Sequence, residues 1–334
     1  MIDYALIWAG LIAFAILAYV VLDGFDLGVG ILFPYVPGAQ NRDQMMNSVA
    51  PLWDGNETWL ILGGGGLYAV FPLVYAILMP ALYIPIFLML FGLIFRGVAF
   101  EFRWKVSGKR NFWDVAFAGG STVAAFAQGL VLGGVIQGVQ IEGRGYAGGA
   151  WDWLTPFSLL TGLAVVAGYA LLGATWLIMK GNGDVYDRAK RFSNRLVWVV
   201  LGLIVVVSIW TPMLHSHFAQ KWFSWPDLVY TLAVPFLVLA AAWFLLTGLK
   251  RDHSARPYLA TVAIFVLSYI GLLMSFFPYM IPTSVTLWQA AAPDSSLKFL
   301  LVGTVFLIPI ILTYTAYAYW VFRGKVGDSH SFHG

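Results

Sequence analysis

The chain has 334 residues, of which 60% are hydrophobic, 17% aromatic and only 10% charged, against about 25% charged in an average soluble domain. A mean hydropathy of +0.80, held along the whole length, excludes an ordinary soluble enzyme and points to an all-α polytopic membrane protein covered mostly by lipid. The net charge of +3 matters less than its placement, which follows membrane topology and gives no reason to expect nucleic acid. The absence of cysteine removes disulfides, iron–sulfur clusters and thiolate-held zinc. Any metal would need His, Met or carboxylate ligands.

Apolar runs of about 20 residues cross the hydrocarbon core as helices. Nine are predicted, at 6–34, 50–75, 78–104, 114–140, 156–180, 196–215, 226–250, 257–281 and 298–323. The first follows Met-Ile-Asp without a basic leader or a small-residue cleavage site, so it reads as a retained helix and not a signal peptide. The polar stretch from Lys180 to Arg195, with Gly-Asn-Gly and dense charge, lies midway. Within a single membrane domain, 1–334, it is expected to separate residues 1–180, a four-helix bundle plus the fifth helix, from the remaining helices in 181–334. Two four-helix bundles and a peripheral ninth helix result.

Basic residues set the direction of these spans, because short loops rich in them stay in the cytoplasm. One side holds Arg42, Arg103, Lys105, Lys109, Arg110, Lys180, Arg188, Lys190, Arg191, Arg195, Lys250, Arg251, Arg256, Arg323 and Lys325, and the other only Arg144, Lys221 and Lys298. That asymmetry places the N-terminus outside and the C-terminus in the cytoplasm. Arg96 remains inside a predicted helix.

An ionised side chain at bilayer depth costs about 3 kcal/mol on insertion scales, so those that persist are functional or paired. Here they gather. DGFDLGVG closes the first helix with Asp23 and Asp26 on one face, and Gly30 near that face lets another backbone approach. PLWDGNETW opens the second with Asp54 and Glu57 in the same spacing, and FRGVAFEFRWK ends the third with Arg96 and Glu101. At about 1.5 Å per residue these groups lie in the cytoplasmic half of their helices. Five carboxylates and one guanidinium at similar depth cannot all be ionised, and such a cluster suits proton transfer.

The plainer alternative is a structural ion-pair and capping network. Asp54 and Glu57 also follow Pro51 in the first turns of a helix, where carboxylates complement the dipole, and Trp53 and Trp59 suit packing or an interfacial belt. Asn56-Glu57-Thr58 matches a glycosylation sequon only by chance of composition, since it falls in a helix on the cytoplasmic side. Gly63 to Gly66 lack the Lys-Ser/Thr of a phosphate loop, and DGFDLG lacks the spacing of a calcium loop. His215 and His217 fall at an outer helix end, His253 in a loop, and His330 and His333 in the tail. A b-type haem buried among helices normally takes a mid-membrane imidazole, so this chain alone is expected to hold no haem and no metal.

DGFDLGVG, NSVAPLWDGNETWL, FRGVAFEFR and FFPYMIPTSVTLW, in this order on nine predicted helices, resemble subunit II of the cytochrome bd-type quinol oxidases. The resemblance runs from the first residues to the ninth helix, and the compact loops look closest to the cyanide-insensitive branch. It implies a subunit of a terminal oxidase in the prokaryotic plasma membrane that oxidises quinol and reduces oxygen to water. It further implies a partner, subunit I, carrying the b-type and d-type haems. In that family the Asp of W-D-G-N, here Asp54, is associated with a proton route from the cytoplasm. Asp23, Asp26, Arg96 and Glu101 match other polar motif positions, whereas Glu57 stands where some members have Gln. A structural quinone or phospholipid and a small accessory subunit are compatible with the resemblance.

Two other functions compete on the residues alone. A proton-coupled secondary transporter could use the same carboxylates, although such folds commonly pair broken helices between repeats and no counterpart of the cluster occurs in the second half. The other is a purely structural scaffold for a haem-bearing subunit.

Overall fold

A computed structural model describes residues 2–105 and 110–327; Lys109 of the basic set and the His330 and His333 pair lie outside the described residues. Helix α1 (Tyr4–Leu32) runs into a 3-10 turn (Phe33–Tyr35), followed by α2 (Ala39–Val49), α3 (Trp53–Val70), α4 (Pro72–Ala81), α5 (Tyr83–Lys105) and α6 (Arg110–Gln137). A hairpin of β1 (Ile141–Glu142) and β2 (Gly145–Tyr146) leads to α7 (Pro156–Lys180), α8 (Gly183–Leu214), α9 (Ser216–Phe223), α10 (Asp227–Lys250) and α11 (Arg256–Phe276). A second antiparallel hairpin, β3 (Tyr279–Ile281) and β4 (Val285–Thr286), then α12 (Leu287–Ala290) and α13 (Asp294–Val321), complete the described chain. Eight of these helices are long and apolar enough to cross a membrane, or nine if α3 and α4 count together.

Local chemistry explains the ends. The Asp3 carboxylate accepts from the Leu6 N–H to open α1, and Thr155 and Ser158 form a reciprocal capping box before Pro156 at the start of α7. The predicted second and third spans need correction. Phe71 leaves the helical region at φ −124° and ψ 61°, as a residue preceding proline is biased to do, and α4 turns away from α3 by 119°. Residues 72–81 therefore belong to neither vertical helix, and the third span begins at Tyr83. The sixth span starts 13 residues before its predicted 196, because only Gly181 and Asn182 interrupt the helices. The charged stretch beyond them, as far as Arg195, forms the first turns of α8.

Close helix packing places the polar cluster. Every residue of α1 and its extension from Asp23 to Phe33 is buried, because α3, α6 and α7 surround that end. A Cβ on Gly28 would stand 1.8 Å from the Tyr169 carbonyl oxygen, and one on Gly173 2.3 Å from the Gly28 carbonyl carbon. The backbones of α1 and α7 thus touch directly. Gly30 faces α6, where a Cβ would lie 2.1 Å from the Ser121 hydroxyl. Gly92 and Gly120 do the same for α5 and α6, beside Arg96. Helix α13, by contrast, rests on α1 and α3 with none of its apolar window buried within the chain.

Candidate functional site

The buried end of α1 meets the first turns of α3 and the middle of α5 around one guanidinium. Arg96 has no exposed side-chain surface. Its Nη1 donates to Asp23 Oδ1 at 2.5 Å and its Nη2 to Glu57 Oε2 at 2.7 Å. The ring of Trp53, stacked on Phe100 at 4.9 Å between centroids, lies 5.8 Å from the guanidinium carbon. Trp53 thus packs between Phe100 and the cluster, with a cation–π contribution to Arg96. Asp23 and Asp26 are both fully buried, whereas the Glu57 side chain keeps 27% of its surface. Glu57 is therefore the rim of the cluster.

Asn56 connects its second half. The amide Nδ2 donates to Asp26 Oδ2 at 2.7 Å, and its Oδ1 accepts from the Tyr319 hydroxyl of α13 at 3.0 Å. Asp23 Oδ2 and Asp26 Oδ1 are buried without a hydrogen-bond partner among the described residues. Three carboxylates face a single cation here. One turn further along α1, Tyr19 accepts from Gln128 Nε2 at 2.7 Å, and Gln128 Oε1 accepts from Tyr169 at 2.7 Å. That buried chain joins α1, α6 and α7 near the middle of the helices.

The structure brings Asp23, Asp26, Glu57 and Arg96 together, but not Asp54 or Glu101. Asp54 is exposed in the first turn of α3. Glu101 is exposed on α5 and pairs with Lys105 at 3.2 Å. A spacing of three residues leaves two side chains about 60° apart, enough for one to face the cluster and the other to face away.

Sequence reasoning also missed a second buried network. Arg103, 1% exposed, donates through Nε to Asp114 Oδ1 and through Nη1 to Asp43 Oδ1, both at 2.6 Å, while Arg42 Nη1 reaches Asp114 Oδ2 at 2.8 Å. It ties α2, α5 and α6 at one end of the molecule. Counting Arg103 as a loop cation hid it, because its partners come from distant segments.

Imidazoles among the described residues stand at helix ends or in turns: His215 caps α8, His217 lies in α9 and His253 follows α10. His215 Nε2 already meets the Gln137 carbonyl at 2.7 Å. Among the described residues no imidazole stands in the middle of a spanning helix, and no group of three or more His, Asp or Glu is placed to hold a metal ion.

Helices long and apolar enough to span a membrane, packed around a buried, ion-paired carboxylate cluster, define a polytopic membrane protein. Residues 4–322 match the family model of cytochrome bd terminal oxidase subunit II. The chain is 30% identical to cytochrome bd-I ubiquinol oxidase subunit 2 of Escherichia coli K12, covering 98% of this chain and 97% of that one. It is 26% identical to cytochrome bd ubiquinol oxidase subunit 2 of Bacillus subtilis, over 96% of each. In fold it is similar to a chain of the solved bd oxidase of Geobacillus thermodenitrificans, with a TM-score of 0.79, 15% identity and 96% and 99% of the two chains covered. The chain belongs to the cytochrome bd terminal oxidase subunit II family. Membership implies a haem-bearing quinol oxidase complex with a subunit I partner, and it displaces the secondary-transporter reading.

Proposed function

We propose that this chain is the haem-free subunit of the oxidase, and that it contributes a proton route from the cytoplasmic side together with an assembly surface for subunit I. The observation that supports the route is the cluster itself. A partly exposed acid, Glu57, shares one guanidinium with the fully buried Asp23, and Asn56 links the same helix turn to Asp26. Reduction of oxygen consumes protons, and groups that gain and lose a proton inside a membrane are suited to supply them. In this arrangement Asp54 is the surface acid, Glu57 accepts from it one turn along α3, and Asp23 and Asp26 hold the proton inside. Arg96 fixes the geometry and offsets one negative charge. Glu101, paired with Lys105, belongs to the rim.

The N-terminus then faces outward and the C-terminus the cytoplasm of a prokaryotic plasma membrane. Gly181 and Asn182 separate two bundles and α13 lies at the periphery. The haems b and d reside in subunit I, where quinol and oxygen react. A structural quinone or phospholipid and a small accessory subunit would be held outside the cluster.

Substitution in the assembled complex tests this. Asp54→Asn and Glu57→Gln keep size and remove titration, so the purified oxidase should retain its haem spectrum and lose several-fold of its quinol-driven oxygen uptake. Asp54→Glu should keep a substantial part. Wild-type turnover of both neutral variants across pH 6–8 would favour the scaffold reading instead.

A further inference from the structure

Helix α13 buries none of its apolar window within the chain, yet its last turns make directed contacts with the polar cluster. The Tyr319 hydroxyl donates to Asn56 Oδ1 at 3.0 Å. The Tyr319 ring stands edge-on to Phe25 and Trp176, at 6.4 and 6.3 Å between centroids. Those two rings stack on each other at 4.0 Å, and Phe25 is the chain neighbour of Asp26. The segment after α13 fixes this end of the helix. The Phe322 carbonyl accepts from Lys180 Nζ at 2.6 Å, the Val326 N–H donates to the Lys180 carbonyl at 2.9 Å, and the Val326 carbonyl accepts from Asn182 Nδ2 at 3.1 Å. Lys325 Nζ lies 5.0 Å from the centre of the Tyr186 ring. The chain beyond α13 is thus strapped to the turn between α7 and α8, and one hydroxyl of a peripheral helix is held at a defined place.

That hydroxyl acts on an amide whose orientation matters. Asn56 Nδ2 lies 2.7 Å from Asp26 Oδ2 and 3.3 Å from the Leu22 carbonyl. A carbonyl can only accept, so Leu22 fixes which end of the amide carries the hydrogens, and both N–H groups are engaged. Tyr319 supplies the one hydrogen bond to Oδ1 among the described residues. A flipped amide would set its oxygen against the Leu22 carbonyl and withdraw the N–H from Asp26. Asp26 itself is fully buried. Both terminal nitrogens of Arg96 are committed to Asp23 and Glu57, which leaves Asp26 with a neutral amide for its partner, and its Oδ1 has none among the described residues. A carboxyl buried without a cation is held more cheaply with a proton than with a charge.

We propose that Tyr319 is a positioning residue for Asp26: by donating to Asn56 it keeps the amide N–H on Asp26 Oδ2, so that Oδ1 is the atom that gains and loses the proton. This rests on the reading above that the cluster carries protons. It gives the peripheral helix and its strap a part in that route, through Asn56 and without contact with the acid.

The test is reduced-minus-oxidised infrared difference spectroscopy on the complete oxidase. A protonated, buried carboxyl gives a carbonyl stretch clear of the amide bands, and the band lost in Asp26→Asn is the Asp26 signal. Tyr319→Phe keeps the ring on Phe25 and Trp176 and removes only the hydroxyl. The Asp26 band should then move to higher frequency, because Oδ2, its carbonyl oxygen, accepts a weaker N–H bond. Haem content should stay at the wild-type level, while oxygen uptake falls about two- to tenfold, the effect of one lost hydrogen bond. In an Asn56→Leu background the same change should add nothing, as expected of a residue acting through its neighbour. If Asn56→Leu does not assemble, Asn56→Ala provides that background. A band unmoved by Tyr319→Phe, or moved equally with Asn56 absent, overturns the proposal and leaves the proton-carrying reading standing. If no band is lost in Asp26→Asn, both fall.

Discussion

Arg96 carries the most weight at the scale of single residues. Removing one member of a buried ion pair leaves an uncompensated charge and costs about 3–5 kcal/mol, whereas removing both is far milder. Arg96→Gln should therefore lower the thermal midpoint of the assembled oxidase sharply, and adding Asp23→Asn should restore part of the loss. A double-mutant cycle followed by haem-spectrum melting measures this; strict additivity would mean that the 2.5 Å contact contributes little. Asp23, Asp26, Glu57 and Arg96 were legible in the sequence because charge inside an apolar run is conspicuous. Asn56 was not. A neutral amide inside a sequon attracts no notice, yet it stands about 100° round the helix from Glu57, which turns it onto Asp26 while Asp54 points outward.

Helix contacts at the scale of elements depend on missing side chains more than on hydrophobic stripes. Gly28→Ala would place a methyl group where the α7 backbone already lies, 1.8 Å from an oxygen, so α1 and α7 would have to separate and carry Asp26 with them. Loss of assembled, haem-containing complex is the expected result, with Gly10→Ala, which meets nothing within 4 Å, as the tolerated control. Gly30 was readable as a site of close approach, and the break at Phe71 carried its own signal in Pro72. The merging of the charged central stretch into α8 did not, since dense charge suggests a loop unless helix continuity is tested residue by residue. The outer hairpin yields a pH prediction. Burial first, and then the Asp152 carboxylate that the Tyr146 hydroxyl meets at 3.0 Å, push the phenol up to about 12. A raised value favours the protonated form in the folded protein, so this contact is present below the ordinary tyrosine value and is lost as pH rises through about 12. The wild type minus Tyr146→Phe difference in tyrosinate absorbance should titrate there; a midpoint near 10 would show that the contact does not hold in solution.

Topology, at the scale of the whole molecule, can be argued from a contact as well as from charge. Arg103 at the end of α5 bonds Asp43 of α2 at 2.6 Å, and α2 leads directly into α3. The start of α3 and the end of α5 therefore lie on the same side, and the chain between them must travel out and return. Helix α3, with 18 residues, is about 27 Å long, close to the roughly 30 Å of a hydrocarbon core. It can complete the outward crossing without α4, which is free to lie across the far end. The sides of all later helices depend on this, because a failed crossing by α3 would invert everything beyond it. The chain contains no cysteine, so single cysteines report without background. Arg144→Cys, on the exposed β1–β2 turn, should react with a membrane-impermeant maleimide in intact cells. His253→Cys, on the exposed turn after α10, should react only after the membrane is opened. The opposite pattern would mean either that the orientation drawn from the basic residues is reversed or that α3 and α4 do not form a crossing, and labelling of both from outside would mean that one of α7, α8 and α10 does not cross.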